Sequence, residues 1–275
     1  MGFNRCDFTT WPLTPVTKPV TQVPIPALYS LPSAAYPATP NNSGAILLPD
    51  GRTIQQIQPL QVCAAGGPVT FLAHNLMPLV DVYSDGISGS HGGSGLSALG
   101  GTIRMGELVP GNSGIVDGVQ DVMRHALKFE FNTGVFSNFA QQVWPATNHD
   151  GANEGLLLAL LPSFDYNALK SAPGRSIAWT LINYGAYIVD NSAWDDINIC
   201  TEQGTTSTDG TANSVVNEFS TDWGVAFNQN LTSKSAWASD IKTILANIQV
   251  ITNNSATNVG GGGTPLQPLL PEVSP

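Results

Sequence analysis

The most regular alternation in the chain is Met123 to Phe131, MRHALKFEF. A period of two places Met123, His125, Leu127, Phe129 and Phe131 on one face and Arg124, Lys128 and Glu130 on the other, the pattern of a half-buried strand. Shorter apolar runs bounded by turn residues predict further strands at 45–48, 53–62, 69–73, 79–83, 156–161, 186–190 and 248–251. Pro49-Asp50-Gly51, between the first two, predicts a hairpin turn. Helical spacing occurs at 173–184, with a proline near its start and Gly185 at its end, and again at 234–247. Residues 201–215 are rich in Thr, Ser and Gly and read as a mobile loop. Short strands separated by turn signals, without βαβ alternation, predict a mainly β single domain. The expected arrangement is a sandwich or jelly-roll with two peripheral helices.

The two ends break this pattern. Residues 1–44 include a proline-dense stretch, TPVTKPVTQVPIP among it, that removes backbone donors and predicts an extended arm. The globular part is then 45–270, with 271–275 as a tail. Inside it, Ser84 to Glu107 carries glycine at 86, 89, 92, 93, 95, 100, 101 and 106 around His91. Such density marks backbone in conformations closed to other residues, or backbone packed very near something else. The P-loop Lys-Ser/Thr is absent, which argues against a phosphate cradle. No G-x-S-x-G elbow accompanies Ser90, Ser94 or Ser97, which argues against a serine hydrolase.

Charge narrows the partners. Lys plus Arg number 10 against 20 Asp plus Glu, a formal charge of −10, so nucleic acid is not expected as a partner. Only 11% of residues are charged, well under the usual quarter, an economy that suits a secreted or cell-surface protein. No apolar run reaches the roughly 18 residues of a membrane span. The N-terminus, MGFNRCDFTTWP, has no apolar signal core, so an export signal is read as removed or outside this sequence. Cys6, Cys63 and Cys200 lack the spacing of a zinc ribbon or redox pair, and in an oxidising compartment Cys63 pairs with Cys200.

Four polar residues stand out as candidate chemistry. His125 shares an apolar face, where desolvation favours a neutral general base, or else a core histidine satisfied by a carbonyl or carboxylate. Glu107 and Asp190 are read as a carboxylate pair and Arg104 as a partner for a substrate carboxylate or oxyanion. Asp190 ends a strand beside Trp194, a setting in which sugar-cleaving sites are built. His91, Trp144, Tyr187 and Trp194 are candidates for substrate contact, against the plainer reading of core or loop residues. No metal ligand set is expected from the histidines, and no cofactor is implied, apart from room for a structural calcium among the acidic residues.

Several blocks, taken together, resemble a family of secreted, functionally uncharacterised bacterial proteins sometimes found beside carbohydrate-binding modules. They are PDGRTIQQIQPLQVC (49–63), DGISGSHGGSGLSALGGTIRMGEL (85–108), RHALKFEF (124–131), VWPATNHDG (143–151), NYGAYIVDNSAWDDINIC (183–200) and GGGGTPLQPL (260–269). The resemblance covers about 45–270 and brings no activity with it. It implies that Arg104, Glu107, His125 and Asp190 lie within the shared blocks, and that the 260–269 segment packs on the domain. The resulting expectation is an extracellular protein that acts on or binds polysaccharide, as a hydrolase or lyase. The alternative is a non-catalytic filament or surface subunit that self-associates by adding residues 7–40 to a neighbour's sheet edge.

Overall fold

The computed structural model describes residues 21–23, 43–58, 60–62, 69–71, 79–132, 134–139, 141–149, 153–192, 195–206, 211–262 and 264–268. Its largest sheet orders five strands as Ile197–Ile199, Leu127–Asn132, Ala186–Ser192, Leu157–Ala159 and Gln249–Ile251. Leu127–Asn132 and Ala186–Ser192 run parallel, and the other neighbours are antiparallel. Leu127, Phe129 and Phe131 share one face, as the alternation predicts, and each is buried. The strand begins at Leu127, however, so His125 sits in the segment leading into it.

Helices cover that apolar face. Helix α1 spans Ala172–Asn183, α2 spans Val215–Trp223 and α3 spans Ala236–Asn247. Each starts where a serine hydroxyl accepts a backbone N–H of the first turn: Ser171 from Gly174, Ser214 from Asn217, Ser235 from Ala238. Helix α1 buries Ile177, Ala178 and Leu181 completely, and each large side chain among these contributes about 2 kcal/mol through removal from water. It is therefore a core element, not a peripheral one. Helix α2 was not expected; its signal is Ser214 three residues before Asn217, with Gly224 in the left-handed conformation at its end. Just before it, Gln203–Thr206 pairs with Ala212–Ser214 in the stretch read as a mobile loop.

The rest of the described chain is mostly short strands. Gly44–Leu47, Thr53–Ile57 and Val80–Asp81 form a three-stranded sheet. Its turn is held by Asp50, whose carboxylate accepts the N–H of Arg52 and of Thr53 and the Thr53 hydroxyl. Those bonds hold the Asp50 carboxyl down at about 2. Thr21–Val23, within the expected arm, pairs with Val69–Phe71 of the same chain, which also pairs with Leu60–Val62. At the other end Gln267, in the 260–269 segment, donates to Asp117 at 2.8 Å and so lies against the body. Among the described residues no helix is long and apolar enough to cross a membrane.

The second face of the five-stranded sheet is covered by the glycine-rich stretch. A Cβ on Gly101, whose φ is +82°, would lie 2.8 Å from the Ala126 carbonyl and 2.9 Å from Lys128 Cγ. One on Gly93 would lie 2.8 Å from Glu154 Cγ. Glycine is required here because backbone lies directly on backbone and side-chain stems. Glutamines of the Thr53–Ile57 strand region stitch this layer down: Gln56 donates to Ser88 O at 2.9 Å and accepts the Ala98 N–H at 2.6 Å. Cys200 is a free thiol and not half of the expected bridge, and Cys63 lies outside the described residues.

Candidate functional site

Of the four candidate catalytic residues, the Glu107 and His125 side chains meet, and Arg104 joins them only through its backbone. The loop from Arg104 to Glu107 turns so that the Glu107 carboxylate accepts the Arg104 N–H at 2.6 Å. His125 Nε2 lies 3.1 and 3.2 Å from the two Glu107 oxygens, while its Nδ1 lies 2.9 Å from Ala126 O. The Arg104 guanidinium reaches away to Glu202 at 2.7 Å. Burial works to lower the His125 pKa, but the Glu107 hydrogen bond and charge, helped by the Ala126 carbonyl, outweigh it and raise it. Oxygen atoms thus face both ring nitrogens. His125 is engaged by Glu107 and the Ala126 carbonyl, and Arg104 is paired with Glu202. Burial likewise opposes the lowering of Glu202, but the Arg104 and Met105 donors prevail.

His91 and Lys128 form a second, buried pair. Lys128 was placed on the polar face of its strand; it is only 3% exposed because the glycine layer lies over it. Its ammonium donates to Ser97 O at 3.0 Å and Ala98 O at 2.9 Å, and lies 3.3 Å from His91 Nε2. Burial lowers the Lys128 pKa to about 8. His91 is held well below its ordinary value by burial and by the Lys128 charge, so it is neutral and accepts from the amine. Ser43 Oγ completes its contacts at 2.9 Å. This arrangement fastens the glycine layer to the sheet, and His91 serves there instead of at a substrate surface.

Asp190 lies at the opposite end of the sheet's parallel pair. Its register partner is Glu130, three residues into the strand from Leu127 and so about 10 Å beyond its start. Gln58 donates to Asp190 at 2.8 Å, and the Asn191 N–H bonds it at 2.8 Å. Burial, then the charge of Asp190, pushes the Glu130 pKa up to about 7, against the Asn198 hydrogen bond that lowers it. Two carboxyls with unlike environments thus sit side by side where the parallel strands end. Next to them Asn191 donates to Glu154. The buried Oδ1 atoms of Asn191 and Asn153 have no hydrogen-bond partner among the described residues. Sequence reading found Asp190 but not Glu130, whose alternation pattern assigned it to solvent.

The aromatic candidates divide. Tyr187 donates its hydroxyl to Trp144 O at 2.9 Å and packs with Leu96, Ala146 and Val189, so it is a structural residue. Trp144 is half-buried, with its carbonyl also accepting from Asn254. Trp194 lies outside the described residues. Among the described residues no group of three or more His, Cys, Asp or Glu side chains is placed to hold a metal. A cavity of about 950 Å³ opens between the Ile197–Ile199 edge and helices α2 and α3. No family model, no curated protein and no solved structure matches the chain.

Proposed function

We propose that this protein cleaves glycosidic bonds of an extracellular polysaccharide, with Glu130 as general acid and Asp190 as nucleophile. The observation that carries the reading is the neighbouring pair itself: a half-buried Glu130, its pKa pushed up to about 7, beside Asp190 on the next strand. Pairs of carboxyls whose environments set them to opposite protonation states are how acid and nucleophile are divided in such enzymes. Adjacent strands lie about 4.8 Å apart, a backbone spacing that favours the close carboxyl pair of retaining cleavage over the wider pair of inverting cleavage. Glu130 would protonate the leaving oxygen while Asp190 bonds to the anomeric carbon. Water, deprotonated by Glu130, would then release the sugar with retained configuration.

The test is release of reducing ends from a panel of soluble and insoluble polysaccharides. Wild type should release them, with activity falling above about pH 7 as Glu130 loses its proton. Glu130→Gln and Asp190→Asn should each lower kcat by about 100-fold or more, and the first-formed product should carry the substrate's anomeric configuration. No release from any polysaccharide, or unchanged activity in both variants, would sink the reading.

A further inference from the structure

The cavity at the Ile197–Ile199 edge lies on the helix side of the sheet, whereas Lys128 and Glu130 face the glycine layer, so it is not the site proposed above. Its floor is aromatic: Phe131 from the strand, Phe227, and Trp237 of α3, all more than nine-tenths buried. Trp237 spends its indole N–H on Phe227 O at 2.8 Å, which leaves only ring hydrocarbon facing the hollow. Ile241 and Leu245 of α3 form a wall. At about 950 Å³ it is far beyond a packing defect, which rarely exceeds one water, and lies within the ~300–1,000 Å³ of small-molecule sites.

The mouth has a distinct character. Asp195 and Asp196 stand there exposed, with the amides of Asn198, Gln229 and Asn230. Among the described lining residues these aspartates are the ionisable groups, and none is basic. The protein's formal charge of −10 reinforces the same field. We infer that the cavity binds a small cationic amphiphile, its apolar body on the Phe131–Phe227–Trp237 floor and its ammonium-type head between Asp195 and Asp196. An anionic head would meet two carboxylates with no counter-charge, and a fully apolar guest would leave their attraction unused.

Octyltrimethylammonium, octyl glucoside and octyl sulfate, each below its micelle concentration, are titrated into the full chain by calorimetry, with tryptophan fluorescence as a second signal. The cation should saturate at one per chain and bind at least about ten-fold tighter than the sulfate. Ile241→Trp, which fills the hollow, should remove binding of the cation. The double variant Asp195→Asn/Asp196→Asn, confined to exposed positions, should keep glucoside binding and lose the preference for cation over sulfate. Absence of saturable binding, equal affinity for cation and sulfate, or an unchanged preference in the double variant would overturn the inference. So would a chain that is dimeric until the probe dissociates it, since the cavity would then be a contact between copies.

Discussion

At the scale of single residues, Glu130 is a group whose environment moves it far from its ordinary behaviour. Its folded pKa of about 7 lies above the ordinary 4.5, so between these values the native state holds a proton that the unfolded chain has released. Glu130's contribution to stability therefore declines as pH rises through 4.5 to 7, by up to about 3 kcal/mol, while His91, held below its ordinary value, works in the opposite sense. Glu130→Gln, neutral throughout, should flatten that decline in urea unfolding measured at pH 4.5, 6 and 7. A decline of the same size in the variant would assign it to another group. His125 has the reverse sense: its pKa is raised, so its pairing with Glu107 stabilises fully below pH 6.5 and is lost as pH climbs through the folded value. His125→Gln should remove this contribution, read as a smaller difference between acid and alkaline stability than in wild type. The two residues also show what alternation conveys. It grouped Leu127, Phe129 and Phe131 correctly because those side chains answer to one core. It says nothing about what lies above the other face, and so Lys128 and Glu130 read as solvated. Alternation also began four residues ahead of the strand, at Met123, which put His125 on a face that the backbone there does not have.

Elements were legible where a local rule governs them. Helices at 173–184 and 234–247 were expected and appear as Ala172–Asn183 and Ala236–Asn247, because apolar spacing, capping serines and stop signals agree. Their association was not legible, since it runs through one buried carboxylate. Asp240 of α3, 2% exposed, accepts the Lys170 N–H at 3.0 Å, and the Ser171 N–H and hydroxyl at 2.7 Å each. A residue on one helix thus caps the start of another, with Gly174 supplying the close approach: a Cβ there would lie 2.6 Å from an Asp240 oxygen. Asp240→Ala strands donors at a buried helix start and should destabilise by about 2–4 kcal/mol, and Ser171→Ala by about 1 kcal/mol. Because the two share a network, the double variant should cost less than the sum. Thermal unfolding of the three variants decides this, and strict additivity would mean that Asp240 and Ser171 act separately.

For the whole molecule, the sheet is a partition with unlike covers: helices on one side, glycine-rich backbone on the other. The sequence announced the second cover by its glycines but not its place, because a segment with few side chains carries no periodicity. What binds it down is polar. Lys128 supplies donors to two carbonyls of the layer, while Gln56 and Gln58 hold its backbone from the neighbouring strand. The price is a buried ammonium. Its folded pKa of about 8 lies below the ordinary 10.5, so above pH 8 the unfolded chain retains the proton that the native state releases, and stability rises with pH. Cys200 opposes this from its ordinary 9 upward, because burial pushes its thiol to about 12 and the native state then holds the extra proton. The clear window is therefore pH 8 to 9, where wild type should gain about 1 kcal/mol. Lys128→Met should lose that gain; at pH 7 it leaves the Ser97 and Ala98 carbonyls without their donor, a cost of about 2 kcal/mol that release of the buried ammonium offsets. Because only the layer's attachment is cut, limited proteolysis of the variant should begin within 85–107 while helix α1 stays protected. First cleavage in α1, or a variant that keeps the gain between pH 8 and 9, would show that the glycine layer is held by its backbone fit alone and that Lys128 is a passenger beneath it.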